Sequence, residues 1–388
     1  MLMRTWLLPE YVEDILPTEA ARVERLRRAI LDLFAVHGYQ LVMPPLIEYV
    51  ESLLTGTGHD LDLRTFKLVD QLSGRMLGVR ADITPQVARI DAHLLNRKGV
   101  TRLCYAGSVL HTLPSDMNRT REALQIGAEV YGHGGVESDI EVQRLMMQAM
   151  AAAGIRESFL DLGHVAIFRA LVKRARLVPA VEGELFRAMQ LKDVPTLRAL
   201  SAKLDRVTRE ALAALPDLYG GRSVLAAATK RLPAYAEIRT ALRDLKQLSD
   251  SLSDVARIRF DLAELRGYHY HSGVVFAAYA QGFSNALARG GRYDEVGKAF
   301  GRSRAATGFS MDLRELASAV PGNGAKLGVL APYRPRDAAL QKRIAALRAR
   351  GTVVIVDLPG HAATRSELKC DRHLVKRAGA WAIAPWKK

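Results

Sequence analysis

Cysteine is nearly absent from this 388-residue chain: only Cys104 and Cys370 occur, far apart. That excludes a disulfide framework and a cysteine-based metal knuckle, and it suits a reducing cytoplasm. Long apolar runs are also missing, so no membrane-spanning helix is expected. The opening residues Met1 to Glu10 reach acid without a long apolar core, so no secretory signal is expected and a cytoplasmic location follows. No internal repeat or low-complexity tract is present, so a repeat architecture is not expected. Acidic residues are the scarcer charge, leaving a net charge of +15. Residues 321–388 account for ten of those charges, with 14 Lys and Arg against 4 Asp and Glu. No aromatic-interleaved basic stripe accompanies them, so a solvated basic surface is expected and nucleic acid is not the expected partner.

What is present centres on Leu265 to Phe276, followed by Gly290-Gly291-Arg292-Tyr293-Asp294. The first stretch reads as a strand whose alternation places Arg266, Tyr268 and Tyr270 on one face, a wall suited to a small polar ligand. The glycine pair lets backbone approach a ligand closely or turn tightly. An ordinary sheet strand and loop is the competing reading. His269 and His271 fall on the face opposite Arg266. With no further donors at ligand spacing, no metal site is expected.

Arg266-Gly267-x-x-Tyr270, x-x-Gly273-x-Val275-Phe276 and Gly290-Gly291-Arg292-Tyr293-Asp294 together resemble the histidine-binding signature of class II histidyl-tRNA synthetases. Segments near Pro45, Arg80, Gln125 and Gly308 match in the same order, so the resemblance covers about the first 320 residues. It implies a mixed α/β (α+β) fold around an antiparallel sheet. In that family the helix, strand and proline at the N-terminal end form a dimer interface, so a homodimer is implied.

In chain order, Thr18 to Val36 reads as an amphipathic helix ended by Gly38, leading into the strand Tyr39 to Met43 and Pro44-Pro45. Thr65–Asp70 and Ser73–Arg80 read as a hairpin. Asp82 then stands where the synthetases carry the Glu that receives the α-amino group. It also suits capping of the helix beginning near Thr84-Pro85, and both roles are open. Gln125, Gly127 and Glu129 share one face of a strand. A carboxylate there needs a partner, which a cationic ligand or Arg266 would supply, although a plain internal ion pair is an alternative. The resemblance makes Asp82, Gln125, Glu129, Arg266 and Tyr270 histidine contacts, with Thr84, Arg119, Arg121 and Tyr268 as secondary ones.

Three departures fall on the nucleotide side. His111 replaces the Arg that grips the α-phosphate, Leu113 replaces the adenine-reading Glu, and Glu315 stands at the position of a phosphate-binding Arg. Arg289 replaces the first of three glycines. Adenylate formation needs preorganised cations, and losing one costs about 3–4 kcal/mol of transition-state stabilisation. Partial rescue by Arg314, Arg119 or Arg121 stays open. No catalytic residue and no cofactor are therefore expected.

Further along, Ser138 to Ala153 reads as a helix with a core-facing Met stripe, and Leu160 to His164 as a strand. Residues 166–255 read as an all-helical insertion in a synthetase-like domain made of 1–165 and 256–322. After Pro321-Gly322-Asn323-Gly324, residues 323–388 read as a small basic α/β domain. Its expected elements are strands from Lys326 and Val353, a helix over Arg336–Arg350 and a hairpin over Ala378-Gly379. It looks like a shortened anticodon-binding domain.

A synthetase fold that keeps its histidine wall and loses its phosphate clamps resembles the regulatory subunits of ATP phosphoribosyltransferase. That resemblance implies a non-catalytic chain needed by a short catalytic subunit at the first step of histidine biosynthesis, and for histidine feedback, in a hetero-oligomer, by resemblance a hetero-octamer. The competing readings are a divergent synthetase-like aminoacyl ligase and an RNA-binding relative.

Overall fold

The computed structural model describes residues 7–55, 59–114, 120–268, 270–320, 327–360 and 362–386. Arg119, His269, the Pro321–Gly324 segment and Lys326 lie outside the described residues. The chain divides into two compact units, Met1–Pro321 and Gly322–Lys388.

The strands of the first unit are β1 (Gln40–Leu41), β2 (Ile47–Tyr49), β3 (Phe66–Val69), β4 (Met76–Val79), β5 (Thr101–Leu110), β6 (Glu122–Tyr131), β7 (Ser158–His164), β8 (Tyr219–Gly220), β9 (Arg257–Asp261), β10 (Val274–Ala280), β11 (Ala288–Arg292) and β12 (Ala306–Asp312). Nine of them form one sheet in the order β1-β5-β6-β12-β11-β10-β7-β9-β8, and β2-β4-β3 form a small second sheet. Pairing in the large sheet is antiparallel except for β1 on β5 and β7 on β9. Strand alternation decides what each face does. On β6, Ile126, Ala128 and Val130 are fully buried under helices, while Gln125, Gly127 and Glu129 face the other way.

The covering helices follow from their apolar stripes. Helix Pro17–Val36 starts on a proline in its first turn, buries Val23, Ile30 and Phe34, and gives way to Gly38 at φ +81°. Phe34 meets Phe309 of β12 edge-on, with ring centroids 5.8 Å apart. Helix Val136–Ala152 buries Met146, Met147 and Met150, so its methionines are core. A smaller cluster on the opposite sheet face gathers Ile83, Val87, Leu103, Tyr105 and Tyr293.

Three expectations need correction. The strand expected over Leu265–Phe276 begins only at Val274. Gly267, at φ +66°, accepts from the amides of Tyr270 and His271 at 2.8 and 2.7 Å, so the chain reverses there and period-two facing does not apply. The strand expected over Tyr39–Met43 shrinks to the two residues of β1, since only these pair with β5. The 166–255 segment is not wholly helical: β8 pairs with β9 and extends the sheet. Its helices Pro179–Gln190, Val194–Ser201, Arg206–Ala214 and Ala236–Leu252 bury Leu185, Leu197, Leu212 and Leu245 in the main core.

The second unit holds β13 (Gly328–Pro332), β14 (Val354–Asp357), β15 (Cys370–Arg377) and β16 (Ala380–Pro385), in the order β14-β13-β15-β16. β13 is parallel to both neighbours, and β15–β16 is a hairpin turning on Ala378 (φ +46°) and Gly379 (φ +84°). Helix Ala338–Ala349 packs Leu340, Ile344 and Leu347 onto Val329, Leu374 and Trp381. Among the described residues no helix is long and apolar enough to cross a membrane.

Candidate functional site

The site is built on the face of the large sheet that carries Glu129. The register sets Glu129 beside Gly308 and Gly291 in one row, and Gly127 beside Ser310 and Arg289 in the next. Small residues thus form a floor two strands wide. The floor is obligatory at Gly308, where an added Cβ would overlap Glu129 Oε2 and lie 2.8 Å from the Ala128 carbonyl.

Glu129 is 1% exposed. Its Oε1 accepts from the Tyr105 hydroxyl at 3.1 Å and from Thr84 Oγ1 at 3.3 Å, and its Oε2 accepts from the Tyr293 hydroxyl. The Arg266 partner expected for this carboxylate is not the one it has. Burial pushes Glu129 up to about 8, offset in part by these hydroxyls. At neutral pH its protonated form dominates in the absence of a cation.

Asp82 and Gln125 hold each other. Gln125 Nε2 donates to Asp82 Oδ1 at 2.8 Å, while Gln125 Oε1 accepts from the Ile83 amide at 2.9 Å. Asp82 Oδ1 also accepts from the Thr84 amide at 3.1 Å, at the start of helix Thr84–Arg89. Asp82 therefore fixes the helix entry and faces the cavity as well. Arg80 clamps this loop from behind through the carbonyls of Ser108 and Pro44, both at 2.8 Å.

Two cavities of about 220 Å³ each flank the floor, and Asp82, Arg289 and Ser310 line both. The first is closed by Glu129, Thr84, Tyr270, His271 and Tyr293. The Tyr270 and Tyr293 rings lie 5.0 Å apart. Among the described residues Tyr270 Oη and His271 Nδ1 are buried without a hydrogen-bond partner. Burial also holds His271 down to about 4, so its ring is neutral at pH 7. The second cavity is lined by Arg64, His111, Gln125, Asp312 and Glu315.

Asp82, Gln125, Glu129, Thr84 and Tyr270 are thus brought together. Arg266 is not: its side chain is 55% exposed, 3.8 Å from Glu264, and lines neither cavity. Tyr268 turns toward the helical segment, donating to Glu182 at 2.9 Å and packing on Phe168 and Phe186. Both departures follow from the reversal at Gly267. His271, expected on a face away from the ligand wall, stands in the cavity wall for the same reason. Arg121 donates from Nε to the His111 carbonyl at 3.1 Å and stacks over Phe66, outside both cavities.

On the other side, His111 Nε2 donates to the Ala81 carbonyl at 2.9 Å and Nδ1 accepts from Arg64 at 3.2 Å, so both ring nitrogens are used within the fold. Leu113 is 69% exposed and lines neither cavity. Arg314 is turned to Glu13 at 2.5 Å, while its neighbour Glu315 lines the cavity. Arg64, Arg289, Tyr105 and Tyr293 are site residues that local reading did not select. For Arg289 and Tyr293 the signal was their place beside the glycine pair. Among the described residues no group of three or more His, Cys, Asp or Glu could hold a metal ion.

A mainly antiparallel sheet with small floor residues, a buried acid on its β6 strand and a helix-covered core beneath defines a class II aminoacyl-tRNA synthetase-like domain. A family profile described as histidyl-tRNA synthetase matches residues 11–316, and one described as ATP phosphoribosyltransferase subunit HisZ C-terminal domain matches residues 326–384. An ATP phosphoribosyltransferase regulatory subunit from Nitrosospira multiformis is 58% identical over 389 residues, spanning 99% of both chains. Another, from Ralstonia pickettii, is 58% identical over 380 residues and spans 98% of each. Among solved structures, an ATP phosphoribosyltransferase regulatory subunit/histidyl-tRNA synthetase from Bacillus halodurans C superposes with a TM-score of 0.83 at 28% identity, covering 94% of this chain and 96% of that one. Histidyl-tRNA synthetase from Nostoc sp. PCC 7120 shares the fold, with a TM-score of 0.74 at 15% identity. The chain belongs to the family of ATP phosphoribosyltransferase regulatory subunits.

Proposed function

We propose that this chain is a non-catalytic, cytoplasmic subunit that binds histidine and carries feedback to a separate catalytic subunit. That partner joins ATP to phosphoribosyl pyrophosphate at the first step of histidine biosynthesis. The chain self-associates as a dimer through its N-terminal helix and strand, within a hetero-oligomer for which the family resemblance suggests an octamer. Histidine lies on the floor of Gly308, Gly291 and Ser310. Asp82 takes its α-amino group, Gln125 and Glu129 close around the ligand, and Tyr270 forms the wall.

One observation carries this reading: the acids suited to a cationic ligand, Glu129 on β6 and Asp82 in the loop held by Gln125, are kept, while the neighbouring cavity is lined by Glu315 and by an internally bonded His111. A carboxylate there repels the phosphates of a nucleotide, and preorganised cations dominate adenylate catalysis. Domains 1–165 with 256–322, 166–255 and 323–388 serve in this reading as ligand-binding body, helical segment and small basic module.

The test is pyrophosphate exchange and phosphoribosyl transfer by the purified chain, alone and with its catalytic partner. Alone it should do neither, and with the partner it should confer histidine-sensitive transfer. Histidine-dependent exchange by the chain alone would instead establish an aminoacyl ligase.

A further inference from the structure

A bound free amino acid carries an ammonium, a carboxylate and, for histidine, an imidazole. Asp82 and Glu129 suit the cationic groups, and both stand at the β6 side of the floor. The carboxylate needs a cation, placed away from those acids. Arg289 is the sole Lys or Arg among the described residues that line the cavity with Glu129. It projects from β11, two strands from β6, with Ser310 and Gly308 between. Two strand spacings amount to about 9–10 Å, enough for a small amino acid lying across the floor between the acids and the guanidinium.

Arg289 also lines the second cavity, where Asp312 and Glu315 follow it. A ligand extended beyond its carboxylate, as an acyl phosphate is, would have to pass the guanidinium and then meet two acids. A carboxylate ending at Arg289 meets neither obstacle. We infer that Arg289 reads the free α-carboxylate of the ligand, so that the site takes an unmodified α-amino acid and rejects its alcohol, amide or adenylate. This rests on the proposed histidine reading, and it gives the carboxylate to Arg289 rather than to Arg266, which lines neither cavity.

The experiment is calorimetry of the full-length chain with histidine, histidinol and histidinamide, using wild type, Arg289→Gln, Arg289→Lys and Arg266→Ala. A charge-assisted hydrogen bond predicts that wild type prefers histidine over histidinol by about 10- to 100-fold. Arg289→Gln should erase that preference by weakening histidine alone, with histidinol binding unchanged as the control for folding. Arg289→Lys should keep part of the preference, and Arg266→Ala should keep all of it. Equal affinity of wild type for histidine and histidinol overturns the inference. So does a persistent preference in Arg289→Gln, an equal loss of both ligands in both Arg289 variants, or loss of the preference in Arg266→Ala. If wild type binds none of the three ligands, the amino-acid reading of the site falls first, a distinct failure.

Discussion

The Tyr293 hydroxyl donates to the buried Glu129 carboxylate across the glycine-floored sheet. Tyr293 sits after β11 and Glu129 on β6, so this bond ties the two walls of the site together. Tyr105 and Thr84 complete a set of neutral donors around Glu129; they offset part of the cost of burial without cancelling it, so the proton stays on at neutral pH.

That arrangement predicts a pH dependence. Glu129 titrates near 4.5 when exposed and at about 8 in the fold. The folded state binds the extra proton between those values, so its contribution to stability is full below about 4.5 and is lost as pH rises through about 8. His271 and His164 are both pushed down to about 4, and work in the opposite direction below about 6.5. Their contribution fades above about 6.5, and comparison with a Glu129 variant removes what is left of it between about 6.5 and 8. Denaturant unfolding of wild type and Glu129→Gln across that window should give a declining stability in wild type and a flatter profile in the variant. Parallel profiles would contradict the assignment.

Gly308 has no room for a side chain, because an added Cβ would overlap Glu129 Oε2. Gly308→Ala should lower stability by about 1–3 kcal/mol and abolish histidine binding. Thermal unfolding and calorimetry check the two effects separately.

Phe34 is fully buried against Phe309, whose neighbours Gly308 and Ser310 face the site. Phe34→Ala should cost about 3–5 kcal/mol in denaturant unfolding. A loss below 1 kcal/mol would mean that the N-terminal helix is not integral to the core.

Restoring arginine at His111 and Glu315 should not restore adenylate chemistry. His111 bonds to Ala81 and Arg64 within the fold, so an arginine there would stand beside Arg64, and Arg289 would still line both cavities. The double variant should show no histidine-dependent pyrophosphate exchange. Exchange above background would mean that those two positions alone silence the nucleotide side.

The sheet and its buried acid were legible in the sequence because period-two alternation survives along β6, where Gln125, Gly127 and Glu129 do share a face. In the second unit, helix Ala338–Ala349 and the β15–β16 hairpin fall where apolar spacing and the Ala378-Gly379 turn put them. The stretch around Arg266 misled for a local reason. Its aromatic and β-branched composition suits a strand, but Gly267 takes a positive φ and the chain turns, sending Arg266 to solvent and Tyr268 to the helical segment. Arg289 could not be placed by local reading at all. Its position opposite Ser310 depends on the register of β11 on β12, and its distance from Glu129 on the further pairing of β12 with β6, which is remote in sequence.

The central claim is that histidine acts through the Glu129 pocket to control a separate catalytic subunit. A ligand shifts an equilibrium only if it binds its two states unequally, so weakening this pocket must weaken control. The most direct measurement is histidine inhibition of phosphoribosyl transfer by complexes reconstituted with wild type or Glu129→Gln. The variant complex should keep its uninhibited rate and need about 10- to 100-fold more histidine for half inhibition. Superimposable inhibition curves would contradict it, and would place feedback at another site.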